Sequence, residues 1–432
     1  MAGGAYGRLR SCDPPVTVPA WSCMLSGKDP GQLGFYGFRN RADHSYHHLT
    51  IASGASVKAE RIWQMLARHG KRSIIVGVPQ TWPVQPLNGV AVACFLTPPD
   101  APYTYPRALA GELDTLLGER NAYMTDVRGF RTNDKAWLLD QIYVMTERRF
   151  KTLHYLLDRE PWDFCMFVEM GVDRIHHGLW STMDPAHPAH RPGNPLERAI
   201  HDYYVYVDRE IGRLLERLDD DTAVLVVSDH GARAMAGGFC INEWLKAQGL
   251  LVLQDQPAGI APLEKCEVDW SQTRVWGSGG YYARVFFNVE GREPQGVIPP
   301  GEYDDFRDEM VARFEATAGP DGQRLGTVAR APAQIYKEVT NIPPDLMVYF
   351  GNLAWRSVGS LGFDALYSAG NDTGPDDANH DWHGIFIGYD PRRSLAGSAL
   401  QGLHIQQVAP TMLQLMGVPA PTGVAVSPID LE

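Results

Sequence analysis

Asp229 and His230, two adjacent residues able to bind a metal, close the apolar run of residues 222–228 and are followed by Gly231. Burying such a pair without partners is costly, so this placement marks the junction where a strand opens into a loop. The run 164–170 leads in the same way into Asp173-Arg174-Ile175-His176-His177, and His380-Asp381-Trp382-His383 precedes Gly384-Ile385-Phe386-Ile387. Asp oxygen and His nitrogen suit divalent cations. Three such clusters point to a two-metal centre, the device that clamps the attacking and leaving oxygens of a phosphoryl displacement. The D-x-x-x-H spacing of Asp173 and His177 is weak evidence alone, since it reads equally as a surface carboxylate beside a helix-capping histidine.

The elements that must position these residues alternate along the chain. A helix over about 58–69 precedes the strand 73–77, and one over about 137–157 precedes the strand at 164–170. A third helix over 203–218, with Tyr203, Val207, Ile211, Leu214 and Leu218 at helical spacing, runs into the strand ending at Asp229. Such α/β repetition predicts a mostly parallel sheet with helices on both faces. From 238 to 379 the texture changes: Gly277-Ser278-Gly279-Gly280, a strand at 284–288, Pro299-Pro300-Gly301 and a charged helix over 304–317. The expected organisation is a core of 1–237 and 380–432 interrupted by a cap subdomain, 238–379. A helix over 407–415, beginning near Pro410, ends the pattern, and no internal repeat is present.

A chain of 432 residues exceeds the usual limit for one hydrophobic core, in keeping with an insertion. Hydrophobic residues make up 44% and charged residues 21%, which describes a folded globular protein. The formal net charge of -12 would repel a nucleic-acid backbone over most of the surface, excluding a nucleic-acid polymer as the expected partner. An anionic substrate would then need positive charge from a local source, and divalent cations are the strongest available. The six cysteines show no C-x-x-C spacing and read as free thiols. No stretch approaches the roughly 20 apolar residues of a membrane span, and residues 1–7 carry no signal-peptide core. A soluble cytoplasmic protein is expected.

The remaining part is a nucleophile. Thr17 lies between prolines in Pro14-Pro15-Val16-Thr17-Val18-Pro19-Ala20-Trp21, followed by Ser26-Gly27-Lys28-Asp29-Pro30. With the three Asp/His clusters, these segments resemble the type I phosphodiesterase/nucleotide pyrophosphatase group of the alkaline phosphatase superfamily. The resemblance extends to Asn288-Val289-Glu290-Gly291-Arg292-Glu293-Pro294, Pro343-Pro344-Asp345-Leu346 and Val408-Ala409-Pro410-Thr411. It implies an alkaline-phosphatase-like fold and a hydrolase of small phosphate esters or phosphonates acting through a phospho-threonine intermediate. By this similarity Thr17 is the nucleophile. Asp173, His177 and His380 hold one metal, and Asp229 and His230 hold the other together with Thr17. The ions implied are zinc, with manganese as the other candidate. His380 rather than His383 is the implied ligand because it stands four residues before Gly384.

Two departures from the family pattern carry consequences. Where characterised diesterases place an Asn that contacts phosphate just after T-x-P, this chain has Ala20, with Lys28, Asn40 and Arg41 as candidate replacements. Family members also begin with a strand ending in an Asp that reaches the second metal, whereas residues 1–9 resemble the segment that follows it. Asp13 is the nearby acidic residue, and it reads as a turn residue before Pro14. This predicts weak holding of the second ion and an unpaired slot in the sheet. The competing functions are a cofactor-independent phosphomutase, a phosphomonoesterase or phosphonate hydrolase, and, outside catalysis, a metal-deficient binding protein. A sulfatase is disfavoured because Cys12-Asp13-Pro14-Pro15-Val16 lacks the Arg of C/S-x-P-x-R.

Overall fold

Alternation along Ser73–Val76 sends Ile75 toward one apolar layer and Ile74 and Val76 toward another, and all three are buried. Ile75 packs with Trp21 and Met24 of the helix Thr17–Ser26 and with Leu66 of Ile62–Ala67. Ile74 and Val76 pack with Leu109 and Leu113 of Leu109–Leu117 and with Leu156 of the helix Lys135–Arg159. The sheet is therefore covered by helices on both faces. These relations come from a computed structural model that describes residues 3–393, 395–421 and 426–431.

The strands of this layer form two four-stranded halves. One runs Thr104–Tyr105, Gly89–Val92, Ser73–Val76, Phe164–Phe167; the other runs Ser398–His404, Ala5–Arg10, His383–Tyr389, Val224–Val227. In each half three strands share a direction and one opposes, Thr104–Tyr105 in the first and His383–Tyr389 in the second. Ala5–Arg10 is a strand that hydrophobic periodicity does not announce, since only Ala5 and Leu9 of its six residues are buried. Its Gly7 is required by close approach: a Cβ there would meet the Leu400 carbonyl oxygen at 2.5 Å.

Each half ends on a strand that leads to the candidate ligands. Among the described residues, Phe164–Phe167 pairs only with Ser73–Val76, and Val224–Val227 only with His383–Tyr389. Cys165, Met166, Phe167 and all of Val224–Val227 are half-buried, whereas Ser73–Val76 is buried throughout.

The helices lie near their expected positions with shifted ends. The one expected over 58–69 is shorter, Ile62–Ala67, because Arg61 is extended (φ -95°, ψ 158°) and its N–H is taken by Gln64 Oε1 at 3.0 Å. Lys135–Arg159 starts earlier than 137 because the Asp134 carboxylate accepts the Trp137 N–H at 3.0 Å and caps it. Ala199–Leu215 replaces 203–218, and Val408–Leu415 takes Pro410 into its first turn, where the missing N–H is tolerated. No helix among the described residues is long and apolar enough to cross a membrane.

A second core gathers Phe239, Phe287, Phe314 and Phe350 around a sheet ordered Val275–Ser278, Ala283–Phe287, Leu346–Tyr349, Val328–Arg330. Two segments that carry the family resemblance meet there. Arg292 makes a forked pair with Asp345, each bond 2.8 Å, and Asn288 Nδ2 donates to the carbonyls of Trp270, Thr273 and Gln295. Those residues hold the second core together.

Arg149 is fully buried within the first layer, donating to the Val168 carbonyl with Glu169 at 3.7 Å. Gly77, at φ 70°, makes room for it, since a Cβ there would collide with the guanidinium. Burial pushes the Glu169 carboxyl up, and Arg149 pulls it back down. Arg149→Ala would leave Glu169 without its counter-charge and is expected to cost about 3–5 kcal/mol of stability in denaturant unfolding.

Candidate metal and nucleophile site

Thr17 is the first residue of the helix Thr17–Ser26, entered from Val16 in extended conformation (φ -125°, ψ 137°). The first amides of a helix lack intrahelical acceptors, and their dipoles favour an anion beside them. A hydroxyl at this position is thus held where negative charge, on its own oxygen or on a phosphoryl group, is stabilised. Thr17 Oγ1 lies 3.4 Å from His230 Nε2.

Asp173, His230 and His380 bring ligand atoms within 4.8 Å of one another. The hydrogen bonds of the three nearby histidines fix what each offers. His380 Nδ1 is 2.8 Å from the Pro15 carbonyl and His230 Nδ1 is 3.0 Å from the Gly231 carbonyl. A carbonyl only accepts, so both Nδ1 atoms carry the proton, and in the neutral rings both Nε2 atoms present lone pairs. His177 Nδ1 meets Asp376 Oδ1 at 2.7 Å, which leaves its Nε2 3.4 Å from Asp173 Oδ1. Among the described residues His380 Nε2 and Asp229 Oδ2 are buried without a hydrogen-bond partner, and Asp229 Oδ2 is 3.2 Å from His230 Nε2. Lone pairs converging on carboxylates in a buried site repel unless a cation lies between them, so the donor set fits metal ligation.

Burial pushes the Asp229 carboxyl up to about 6, partly offset by His230. His380 is pushed well below the usual histidine range by burial, with His230 and His177 adding to the effect. Burial opposes charge on His177 too, but Asp376, Tyr281 and Asp173 outweigh it and hold that imidazole well above its ordinary value.

The structure thus brings Thr17, Asp173, His177, Asp229, His230 and His380 to one place, although its tightest trio draws His230 in with Asp173 and His380. His383 stands apart, exposed at the start of His383–Tyr389. His176 bonds Tyr204, His187 bonds the Asp377 carbonyl, and His190 bonds the Ser181 carbonyl. Asp13 pairs with Arg10 at 2.9 Å, in keeping with a turn residue. Of the candidates to replace the phosphate-contacting Asn, Arg41 is paired with Glu293 and Asn40 holds the Tyr36 amide. Ala20 is buried completely.

Sequence reasoning missed the support around His177. Asp376, with no exposed side-chain surface, takes His177, Arg356 at 2.9 Å and Arg131 at 3.2 Å. The available signal was the acidic pair Asp376-Asp377 just ahead of His380. Removing a carboxylate that orients a ligating histidine typically weakens metal binding 10–100-fold. That loss is expected for Asp376→Ala, measured as the metal concentration needed for half-occupancy.

Tyr281, between the strands Val275–Ser278 and Ala283–Phe287, covers the cluster, its ring stacked on His380 at 3.6 Å while His230 stacks on His380, also at 3.6 Å. Its hydroxyl is 3.4 Å from His177 Nε2. A cavity of about 2480 Å³ opens here, lined by Thr17, Asp173, Asp229, His230, Tyr281 and Arg356, and continues between Phe164–Phe167 and Val224–Val227.

The sequence model of the type I phosphodiesterase / nucleotide pyrophosphatase family matches residues 1–384. The fold is similar to that of murine ectonucleotide pyrophosphatase / phosphodiesterase 5, with a TM-score of 0.51 at 13% identity over 98% of this chain and 89% of that one. The human protein of the same name gives 0.52 at 14% identity over the same shares. Phosphonoacetate hydrolase from Sinorhizobium meliloti 1021, in complex with phosphonoformate, gives 0.54 at 13% identity over 97% and 87%. No curated protein matches. These likenesses are to alkaline-phosphatase-like folds.

Proposed function

We propose, starting from the fact that this chain belongs to the type I phosphodiesterase / nucleotide pyrophosphatase family and is a hydrolase of phosphoric ester bonds, that it cleaves small phosphodiesters through a phospho-threonine formed on Thr17. The observation that carries this reading is the 3.4 Å approach of a helix-start hydroxyl to His230 within a cluster of metal-ligand side chains in which His380 Nε2 and Asp229 Oδ2 are buried and unpartnered among the described residues. Asp173, His177 and His380 would hold one divalent ion, and Asp229, His230 and Thr17 a second. Such ions supply charge that favours the Thr17 alkoxide and stabilises the leaving oxygen.

The chain's own residues do the rest. Thr17 Oγ1 forms a bond to phosphorus as the bond to the ester's leaving oxygen breaks, and the amides at the start of Thr17–Ser26 stabilise charge on the phosphoryl group. Water then attacks phosphorus from the side the leaving group vacated and frees Thr17. A known variant supports the nucleophile: the murine relative has been solved as an inactive threonine-to-alanine form in complex with AMP.

Elemental analysis for metal, joined to a screen of aryl phosphate monoesters, diesters and phosphonoacetate, tests this reading. Bound metal with preferred turnover of a diester supports it. Preferred turnover of phosphonoacetate would move the assignment to a phosphonate hydrolase, isomerised product to a phosphomutase, and neither metal nor turnover to a binding protein.

The cap formed by residues 238–379 would set substrate choice through Tyr281. Tyr282 belongs to the structure instead, since it is buried and donates to the Tyr36 carbonyl. Tyr281→Ala should change the ratio of kcat/KM between two aryl diesters by about tenfold. Tyr282→Phe should leave that ratio alone and cost about 1 kcal/mol of stability.

A further inference from the structure

The charges on the cavity wall are unevenly matched. Six arginines that line it face carboxylates: Arg41 meets Glu293, Arg131 and Arg356 meet Asp376, Arg174 meets Asp126, Arg217 meets Asp158 and Arg392 meets Asp390. Arg39 and Arg284 also line it, and among the described residues neither pairs with a carboxylate. Acid is not scarce, since 51 Asp and Glu stand against 39 Lys and Arg. The unmatched pair is therefore a property of this stretch of wall.

Arg284 is half-buried on the strand Ala283–Phe287 and donates to the Arg39 carbonyl and, at 2.6 Å, to Ser278 Oγ. Both acceptors are neutral. Burial holds its guanidinium below its ordinary value; Tyr282 opposes this and Arg39 adds to it. Two like charges brought together away from bulk water repel, and an anion between them relieves both. A Cβ on Gly37 would lie 3.7 Å from Arg284 Nη1, so the absent side chain leaves that flank of the guanidinium uncovered. Arg284 is three residues along the chain from Tyr281, the residue stacked on His380, which is on the order of 10 Å at the rise of an extended strand.

We infer that Arg284 and Arg39 form a subsite for a second negative group, a carboxylate or a phosphate carried at the far end of one ester substituent of the substrate. Guanidinium forks match both anions. The cavity of about 2480 Å³ has room for such an extended substrate, where typical small-molecule pockets occupy roughly 300–1,000 Å³. This inference rests on the diesterase reading and narrows its substrates to those that are anionic at two separated places.

The test compares symmetrical aryl diesters, so that either substituent can reach the subsite. One carries para-carboxyethyl groups, one para-phosphonoethyl groups, and one the neutral para-carboxamidoethyl groups of the same shape. Wild-type enzyme should favour an acid over the amide in kcat/KM by roughly 10–100-fold, the worth of hydrogen bonds to a charged group, and the acid with the larger ratio identifies the anion. Arg284→Gln should bring that ratio close to one while turnover of the amide persists. Arg39→Gln, at an exposed side chain, should lower the ratio by about threefold or more, and added salt should lower it too. Turnover of the amide by wild-type enzyme reports on the diesterase reading alone. If no diester is turned over, that reading fails and the same ratios are taken from Kd values by calorimetry. Equal wild-type values for acids and amide would overturn the inference. So would an Arg284→Gln that lowers acid and amide alike, the mark of a brace on the 37–41 segment, or an Arg39→Gln that leaves the ratio unchanged.

Discussion

Thr17→Ala is expected to lower turnover by at least about 10³-fold, the scale on which removal of a covalent nucleophile acts. The substitution removes the one hydroxyl oxygen beside His230 but leaves every Asp and His of the cluster in place. Metal content should therefore stay largely intact, so the loss separates chemistry from ligation. Thr17→Ser keeps an oxygen at the same helix start and should retain part of the rate. Loss of the β-methyl frees its χ1, so some loss of rate remains. A Thr17→Ala enzyme with the wild-type rate would remove Thr17 from the reaction.

The second large effect falls on His380. Its ring is buried, its tautomer is set by the Pro15 carbonyl, and its other nitrogen has no hydrogen-bond partner among the described residues. His380→Ala should lower metal per chain and reduce the rate by about 10²-fold or more, since an orienting outer-shell group alone is worth 10–100-fold. The exposed His383 is the internal control, and His383→Ala should change neither quantity. If His383→Ala lost metal and rate while His380→Ala kept both, the ligand assignment would be reversed.

Part of the candidate site was legible from the residues alone: Asp229-His230 after an apolar run is costly without a counter-charge. Asp173 with His177 was weak evidence by itself and, like Thr17 and His380, was singled out by the family resemblance; the structure brings these side chains together. The main helices and the strands 73–76, 164–167 and 224–227 were legible because periodicity records burial.

What stayed hidden depends on long-range contact. Ala5–Arg10 offers one short face of Ala5, Gly7 and Leu9 and another of Tyr6, Arg8 and Arg10, and its place inside the sheet is set by the strands that flank it through Leu400 and Gly384. Asp376 sits 199 residues from the His177 it orients, so no spacing rule finds it. Tyr281 and Tyr282 are adjacent and look equivalent, yet one stacks on His380 while the other donates to Tyr36 inside the core. The segments Asn288–Pro294 and Pro343–Leu346, chemically prominent in the sequence, turn out to brace each other through Arg292 and Asp345.

The most direct test of the central claim is chemical trapping. Enzyme loaded with zinc is mixed with an excess of an aryl phosphodiester, quenched in acid during turnover, digested and analysed by mass spectrometry. The account predicts a phosphoryl-ester adduct on the peptide that contains Thr17, at the Thr17 oxygen, and none in Thr17→Ala. An active enzyme that carries its adduct on another residue, or that turns over with Thr17 never modified under single-turnover quench, would contradict it.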